Sequence, residues 1–150
     1  MSTTATREHV AIVHPWVAEA LLAGEKTVES RFSRDRRPPF DRVVRGDTVY
    51  FRVTGGGYAV RAVVDRVECH EALTPAQVEQ IESELRSRIG GDDAYWESAR
   101  AARCATLVHL RDCIGVETGP QLARQPGDRE RVGDRPLAAR LQRRGDRTAA

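Results

Sequence analysis

Lysine is almost missing from this chain: of 24 Lys and Arg residues, Lys26 is the single lysine. A coding bias toward arginine accounts for such a composition as well as selection for guanidinium chemistry does, so arginine abundance by itself carries little functional information. The exception carries more, because a compact amine can point, donate three ways or lose its proton when desolvated. Cysteine is equally sparse. Cys69, Cys104 and Cys113 are odd in number and fall in no CxxC spacing, which argues against a disulfide framework and a thiolate zinc site; they read as reduced and mostly buried. No apolar run reaches signal-peptide length at the N-terminus, and none approaches the roughly 18 residues needed to cross a bilayer. The expected location is therefore the cytoplasm, with no membrane partner.

What is present suits an ordinary soluble domain. Hydrophobic residues make up 40% and charged residues 31%, enough to build a modest core. The net charge of +2 is unevenly placed. Residues 119–150 carry eight Arg against four acids, and apolar patterning fades near position 118. The expected division is one domain over 1–118 and a basic tail over 119–150, of the kind found on proteins that touch polyanions.

Glu8 to His14 reads as a strand, after which Pro15 opens a helix whose apolar side is Val17, Ala18, Ala20, Leu21 and Leu22, closed by Gly24. Lys26 to Phe32 alternates, with Thr27, Glu29 and Arg31 on one face and Lys26, Val28 and Ser30 on the other. Residues 33–47 hold a Pro-Pro pair and a Gly-Asp turn and are expected to be an exposed loop. Thr48 to Val53 and Tyr58 to Glu68 are β-rich and joined by the TGGG turn. Thr74-Pro75 starts a helix with the stripe Val78, Ile81, Leu85 and Ile89; a second is expected over Asp93 to Ala102, then a strand over Cys104 to Leu110. Strand, helix, strands, two helices and strand is an α+β order without regular βα alternation, suited to a small β-barrel flanked by helices.

Gly24-Glu25-Lys26-Thr27-Val28-Glu29-Ser30-Arg31 resembles the GxKxxExR signature of ASCH domains at all four marked positions. Pro15-Trp16, the helical ALLAG before the motif, and RGDTVYFRVTGGG are similar to further family features, so the likeness covers about residues 8–111. The resemblance implies a PUA-like barrel with a cleft between barrel and helices, and an association with RNA. In one branch it also implies metal-independent hydrolysis of N4-acetylcytidine by a lysine, a threonine three residues later and a helical glutamate. Lys26 matches the lysine, but Glu29 stands at the threonine position and Thr27 lies on the other strand face. Glu79 and Glu82 are the stand-ins for the helical glutamate; otherwise they and Glu84 form a solvated face.

The motif's own chemistry points the same way. Lys26 can bind a phosphate or carbonyl oxygen, or act as a base; Glu29 can accept an exocyclic amine; Arg31 can clamp an anion bidentately. Alternatively Glu29 and Arg31 form a structural ion pair. The stretch Arg31 to Arg45 holds six Arg against two Asp, with Arg34, Arg36 and Arg37 clustered, and could track phosphates. Trp16, Phe40 or Tyr50 could offer a stacking surface, or could be core aromatics. The expected ligand-binding set is thus Gly24, Lys26, Glu29, Arg31, Arg34, Arg36, Arg37 and Trp16, with Lys26 and Glu29 catalytic in the alternative, enzyme reading of a metal-independent amidohydrolase or nucleic-acid hydrolase. No cofactor or metal is called for: the four histidines match no ligand spacing, and TGGG lacks the GK[ST] of a phosphate loop. The expected partner is RNA or a modified nucleoside.

Overall fold

A computed structural model of the chain describes residues 6–35 and 42–121. The elements run β1 (Glu8–Val13), α1 (Pro15–Leu22), β2 (Val28–Ser33), β3 (Thr48–Val53), β4 (Tyr58–His70), α2 (Pro75–Ile89), α3 (Asp93–Ala99) and β5 (Cys104–Gly115). The five strands form one mixed sheet in the order β1-β3-β4-β5-β2, with β1 parallel to β3 and the other pairs antiparallel. The architecture is an α+β half-barrel with three helices, and β1 and β2 are the edges of its sheet among the described residues.

The helix starts follow local chemistry. Pro15 and Pro75 occupy first-turn positions where no backbone N–H is required. Thr74 and Gln77 close a reciprocal capping box on α2, and Asp92 caps α3 by accepting from Tyr95 N. Strand alternation then sorts the core into two clusters on opposite faces of β5. Val108 and Leu110 join α1 (Val17, Ala18, Leu21) and the inward side of β1, β3 and β4, including Phe51, Val60 and Val64. Ala105 and Leu107 join Val28, Phe32 and the α2–α3 side chains Val78, Ile81, Ile89, Tyr95 and Trp96. Phe32, Tyr95 and Trp96 meet edge to face at centroid distances of 5.3 to 6.3 Å.

Several boundaries move from their sequence-based positions. β5 continues to Gly115, because its charged second half pairs with the start of β4 through two register shifts, and Asp112 takes a left-handed φ of 53° there. Outward-facing charge had hidden the strand. β4 likewise reaches His70, and β2 begins at Val28, not Lys26. α3 closes at Ala99, with Arg100 to Ala102 in tight-turn hydrogen bonds. Leu22 is exposed, so the apolar side of α1 is narrower than its composition suggests. Cys104 is buried and Cys113 half-buried, but Cys69 is exposed; all three are free. Gly119 and Pro120, assigned to the tail by composition, pack against Tyr58: its hydroxyl donates to Pro120 O, and Gly119 lies against its ring.

Candidate functional site

α1 ends in a turn that delivers the motif. Gly24 adopts φ 77°, a left-handed conformation that costs a glycine nothing, and the N–H groups of Glu25 and Lys26 both donate to Ala20 O. The chain thereby reverses and Lys26 drops into the interior, 2% exposed. Its Nζ meets three acceptors: Val28 O at 3.0 Å, Glu29 Oε1 at 2.9 Å, and Ile89 O in a short contact. Three acceptors match the three donors of an ammonium group, so the side chain is saturated. Ile89 ends α2, where unpaired carbonyls gather the negative end of the helix dipole, and Lys26 caps that end. The neighbouring backbone repeats the connection: Thr27 N donates to Arg88 O, and Thr27 O accepts from Leu110 N of β5.

Glu29 is 1% exposed on β2. Burial pushes its carboxyl above the usual carboxylate range, against the opposing charge and hydrogen bond of Lys26. The alternation read from sequence holds here. Val28, Ser30 and Phe32 pair across β5 with His109, Leu107 and Ala105, while Glu29 and Arg31 pair with Val108 and Thr106 on the other face. Ser30 Oγ lies 2.5 Å from the Tyr95 hydroxyl, and burial, then the Glu29 charge, push that phenol well above its ordinary range despite the Ser30 bond. Thr27 Oγ1 is buried with no hydrogen-bond partner among the described residues.

The structure gathers part of the predicted set around the α2 C-terminus. Lys26 and Glu29 meet there, with Gly24 in the turn that leads to them. Trp16 joins them, since a Cβ on Gly90 would lie 3.8 Å from its Cζ3. Trp16 is 39% exposed, and the buried tryptophan is Trp96, whose indole N–H donates to Gly90 O. Arg31 is half-buried next to Glu29's end of β2, and Arg34 is exposed just past that strand. Arg36, Arg37 and Phe40 lie outside the described residues. Glu82 is drawn into ion pairs with Arg86 and Arg100, and Glu79 with Arg100, so both serve the α2–α3 junction. Among the described residues, no three His, Cys, Asp or Glu side chains converge as a metal-ligand set.

Three features escaped the sequence reading. Ile89 O as an acceptor for Lys26 is a backbone atom, invisible to residue patterning. The Ser30–Tyr95 pair had a signal, a lone polar residue between Val28 and Phe32 on an apolar strand face, but nothing named its partner. Glu68 accepts from His109 at 2.5 Å and has His70 and Arg66 at 3.8 Å, a cluster formed only when β4 and β5 pair.

No family model matches the sequence, and no curated protein matches it. Solved structures do. A point mutant of the ASCH protein ZmASCH from Zymomonas mobilis superposes with a TM-score of 0.57 at 20% identity, over 73% of this chain and 72% of that one. The same protein without mutation gives 0.54 at 18% identity, over 73% and 70%. A protein from Enterococcus faecalis V583 gives 0.55 at 10% identity, over 79% and 88%. The half-barrel and its three helices thus share the fold of these structures, ZmASCH among them.

Proposed function

We propose that this chain is a binding module that takes RNA or a modified nucleoside at the β2 edge. Trp16 offers an exposed ring for stacking a base, and Arg31 and Arg34 offer guanidiniums for phosphate. Lys26 and Glu29 form the buried support that fixes β2 against the end of α2. The observation that carries this reading is the saturation of Lys26. With its three N–H bonds spent on Val28 O, Ile89 O and Glu29 Oε1, it has neither a donor nor a lone pair to offer a substrate. The amidohydrolase reading asks Lys26 to do chemistry it can perform only after breaking that network. The orphaned Thr27 hydroxyl beside Lys26 is the one feature that favours it.

One set of assays separates the two. Isothermal titration with cytidine, N4-acetylcytidine and a short RNA, beside chromatography for deacetylated product, is run on wild type, Trp16→Ala, Arg34→Ala and Thr27→Val. Binding weakened about tenfold in Trp16→Ala, with the melting temperature held and no product formed, is the expected result. Product formed by wild type and lost in Thr27→Val establishes the enzyme instead. Unchanged affinity in both Trp16→Ala and Arg34→Ala removes the β2 edge from the site.

A further inference from the structure

At the far side of the sheet from β2, β1 is an edge strand with no neighbour beyond it among the described residues. It pairs with β3 in unbroken parallel register, from Glu8 opposite Thr48 to Val13 opposite Val53. Thr48 N donates to Arg7 O at the start of the pairing and Thr54 N to Val13 O at its end, so the odd-numbered residues turn their backbone groups toward β3. In a parallel ladder a residue's N–H and C=O point the same way, and the direction alternates along the strand. Glu8, Val10 and Ile12 therefore present both groups to the open side.

A lysine, a proline or a bulge ordinarily blunts such an edge. The strand EHVAIV holds neither residue, and its register has no shift. Its side chains carry a second signal. Ala11 and Val13 belong to the α1 cluster, so Glu8, Val10 and Ile12 lie on the opposite sheet face, beside Thr48, Tyr50 and Arg52 of β3. Charge on that face stands at opposite ends of the strand. Glu8 is exposed at the start of β1, Arg52 is exposed beside Ile12 near its end, and neither has an ion-pair partner among the described residues; Arg52 donates to Gly56 O.

We infer that β1 is a contact between two copies of this chain, whose β1 strands pair antiparallel about a two-fold axis at Val10. That register sets Val10 against the second copy's Val10 and Glu8 against its Ile12, so every outward N–H and C=O of Glu8, Val10 and Ile12 in both strands finds a partner. The two valines, flanked on either side by a half-buried Tyr50, join into one apolar strip across the axis. Glu8 of one copy lies two strand spacings, about 10 Å, from Arg52 of the other. The two side chains span that gap over Ile12, and symmetry makes the ion pair twice. Parallel pairing of the same strands would instead set Glu8 beside Glu8 and leave Arg52 without an acid. A two-fold contact closes on itself, and it leaves β2 as the outer edge at each end of the joined sheet.

The test is sedimentation equilibrium of the full chain over a concentration series reaching the upper micromolar range. Two six-residue strands make a small interface, so a reversible dimer with a micromolar dissociation constant is expected. Val10→Pro deletes the central outward N–H, which β3 does not use, and is expected to be monomeric with its melting temperature nearly held. Glu8→Arg and Arg52→Glu are each expected to raise the dissociation constant about tenfold, as like charges meet at both symmetric contacts. Glu8→Arg/Arg52→Glu in one chain is expected to restore it. Within a single chain the two positions lie at opposite ends of the β1–β3 pairing, so restoration reports a contact between copies, and it decides the matter even where Val10→Pro fails to fold. A wild type that stays monomeric throughout the series overturns the proposal, and β1 is then an edge for some other chain. A dimer indifferent to all three single changes overturns it as well, since another surface would hold the copies together. Charge reversals that weaken the dimer with no recovery in the exchanged chain overturn the antiparallel register.

Discussion

Lys26 exemplifies how one side chain can be conspicuous in sequence for a reason that only packing explains. Its isolation among arginines fits an enclosure with room for a point donor: a planar guanidinium with five N–H bonds cannot be satisfied by two carbonyls and a carboxylate arranged around a single nitrogen. Removing the amine takes from the buried Glu29 carboxyl its Lys26 bond and strips the cap from α2. Lys26→Ala is therefore expected to cost about 3–5 kcal/mol of folding stability, and Lys26→Arg to cost nearly as much through overpacking. Urea denaturation of the two variants checks this. A loss under about 1 kcal/mol in both, the range of an exposed pair, would mean that the network is not the support described. The signature set Gly24, Lys26 and Glu29 in one short stretch, but strand alternation put Lys26 and Glu29 on opposite faces. Their ion pair was therefore not legible; it forms because Lys26 lies in the turn before β2. Nor was the identity of the third acceptor, since Ile89 O is supplied by an element 63 positions away.

Asp47 does for the strands what Lys26 does for α2. It is 1% exposed at the turn entering β3, and accepts from Arg7 N at 3.0 Å, Val44 N at 3.1 Å and His9 Nε2 at 2.9 Å. One carboxylate thus ties the start of β1 to the turn before its parallel partner. Burial raises its carboxyl, but the His9 bond and the two backbone N–H groups outweigh it and hold the group below its ordinary value of 3.8. A depressed folded value means that the stabilisation is complete above about pH 3.8 and is lost as pH falls through the folded pKa. Asp47→Asn is expected to be about 1.5–3 kcal/mol less stable at pH 7, with the gap to wild type closing below pH 3.8. Chemical denaturation from pH 7 to pH 2.5 measures it; a gap independent of pH would remove the carboxylate's charge from the account. The sequence reading placed Arg45-Gly46-Asp47 in a turn, which it is, and assigned Asp47 no further role. A turn aspartate and a buried three-bond acceptor look alike until β1 is known to run beside β3. Elements announced by local chemistry, such as Pro15, Thr74-Pro75 and the TGGG hairpin, were legible, whereas the second half of β5 was not, because Arg111 and Asp112 face outward and break the apolar pattern.

The molecule as a whole ends its packed part later than composition suggests, and the difference is small enough to test by truncation. Val116 N donates to Ala59 O, Gly119 lies on the Tyr58 ring, and Tyr58 donates to Pro120 O, so residues 116–120 lie along the start of β4. A Cβ on Gly119 would meet three ring carbons at 2.8 to 2.9 Å, which leaves that position to glycine. Beyond this point the residues are basic and weakly patterned, with Leu137 and Leu141 the exceptions. A chain ending at Gln121 is accordingly expected to melt within about a degree of the full protein, at the roughly 4 °C per kcal/mol typical of a domain this size. A chain ending at Glu117 uncovers Tyr58 and forfeits its hydrogen bond, worth about 1 kcal/mol, so its melting temperature should drop by several degrees. Gly119→Ala in the full chain should reproduce most of that drop, because the added methyl lifts the segment off the ring without deleting anything. Calorimetry on the four proteins decides the matter. Equal melting temperatures throughout would return the boundary to position 118, and a large loss in the chain ending at Gln121 would mean that residues 122–150 contribute to the fold and do not merely extend its charge.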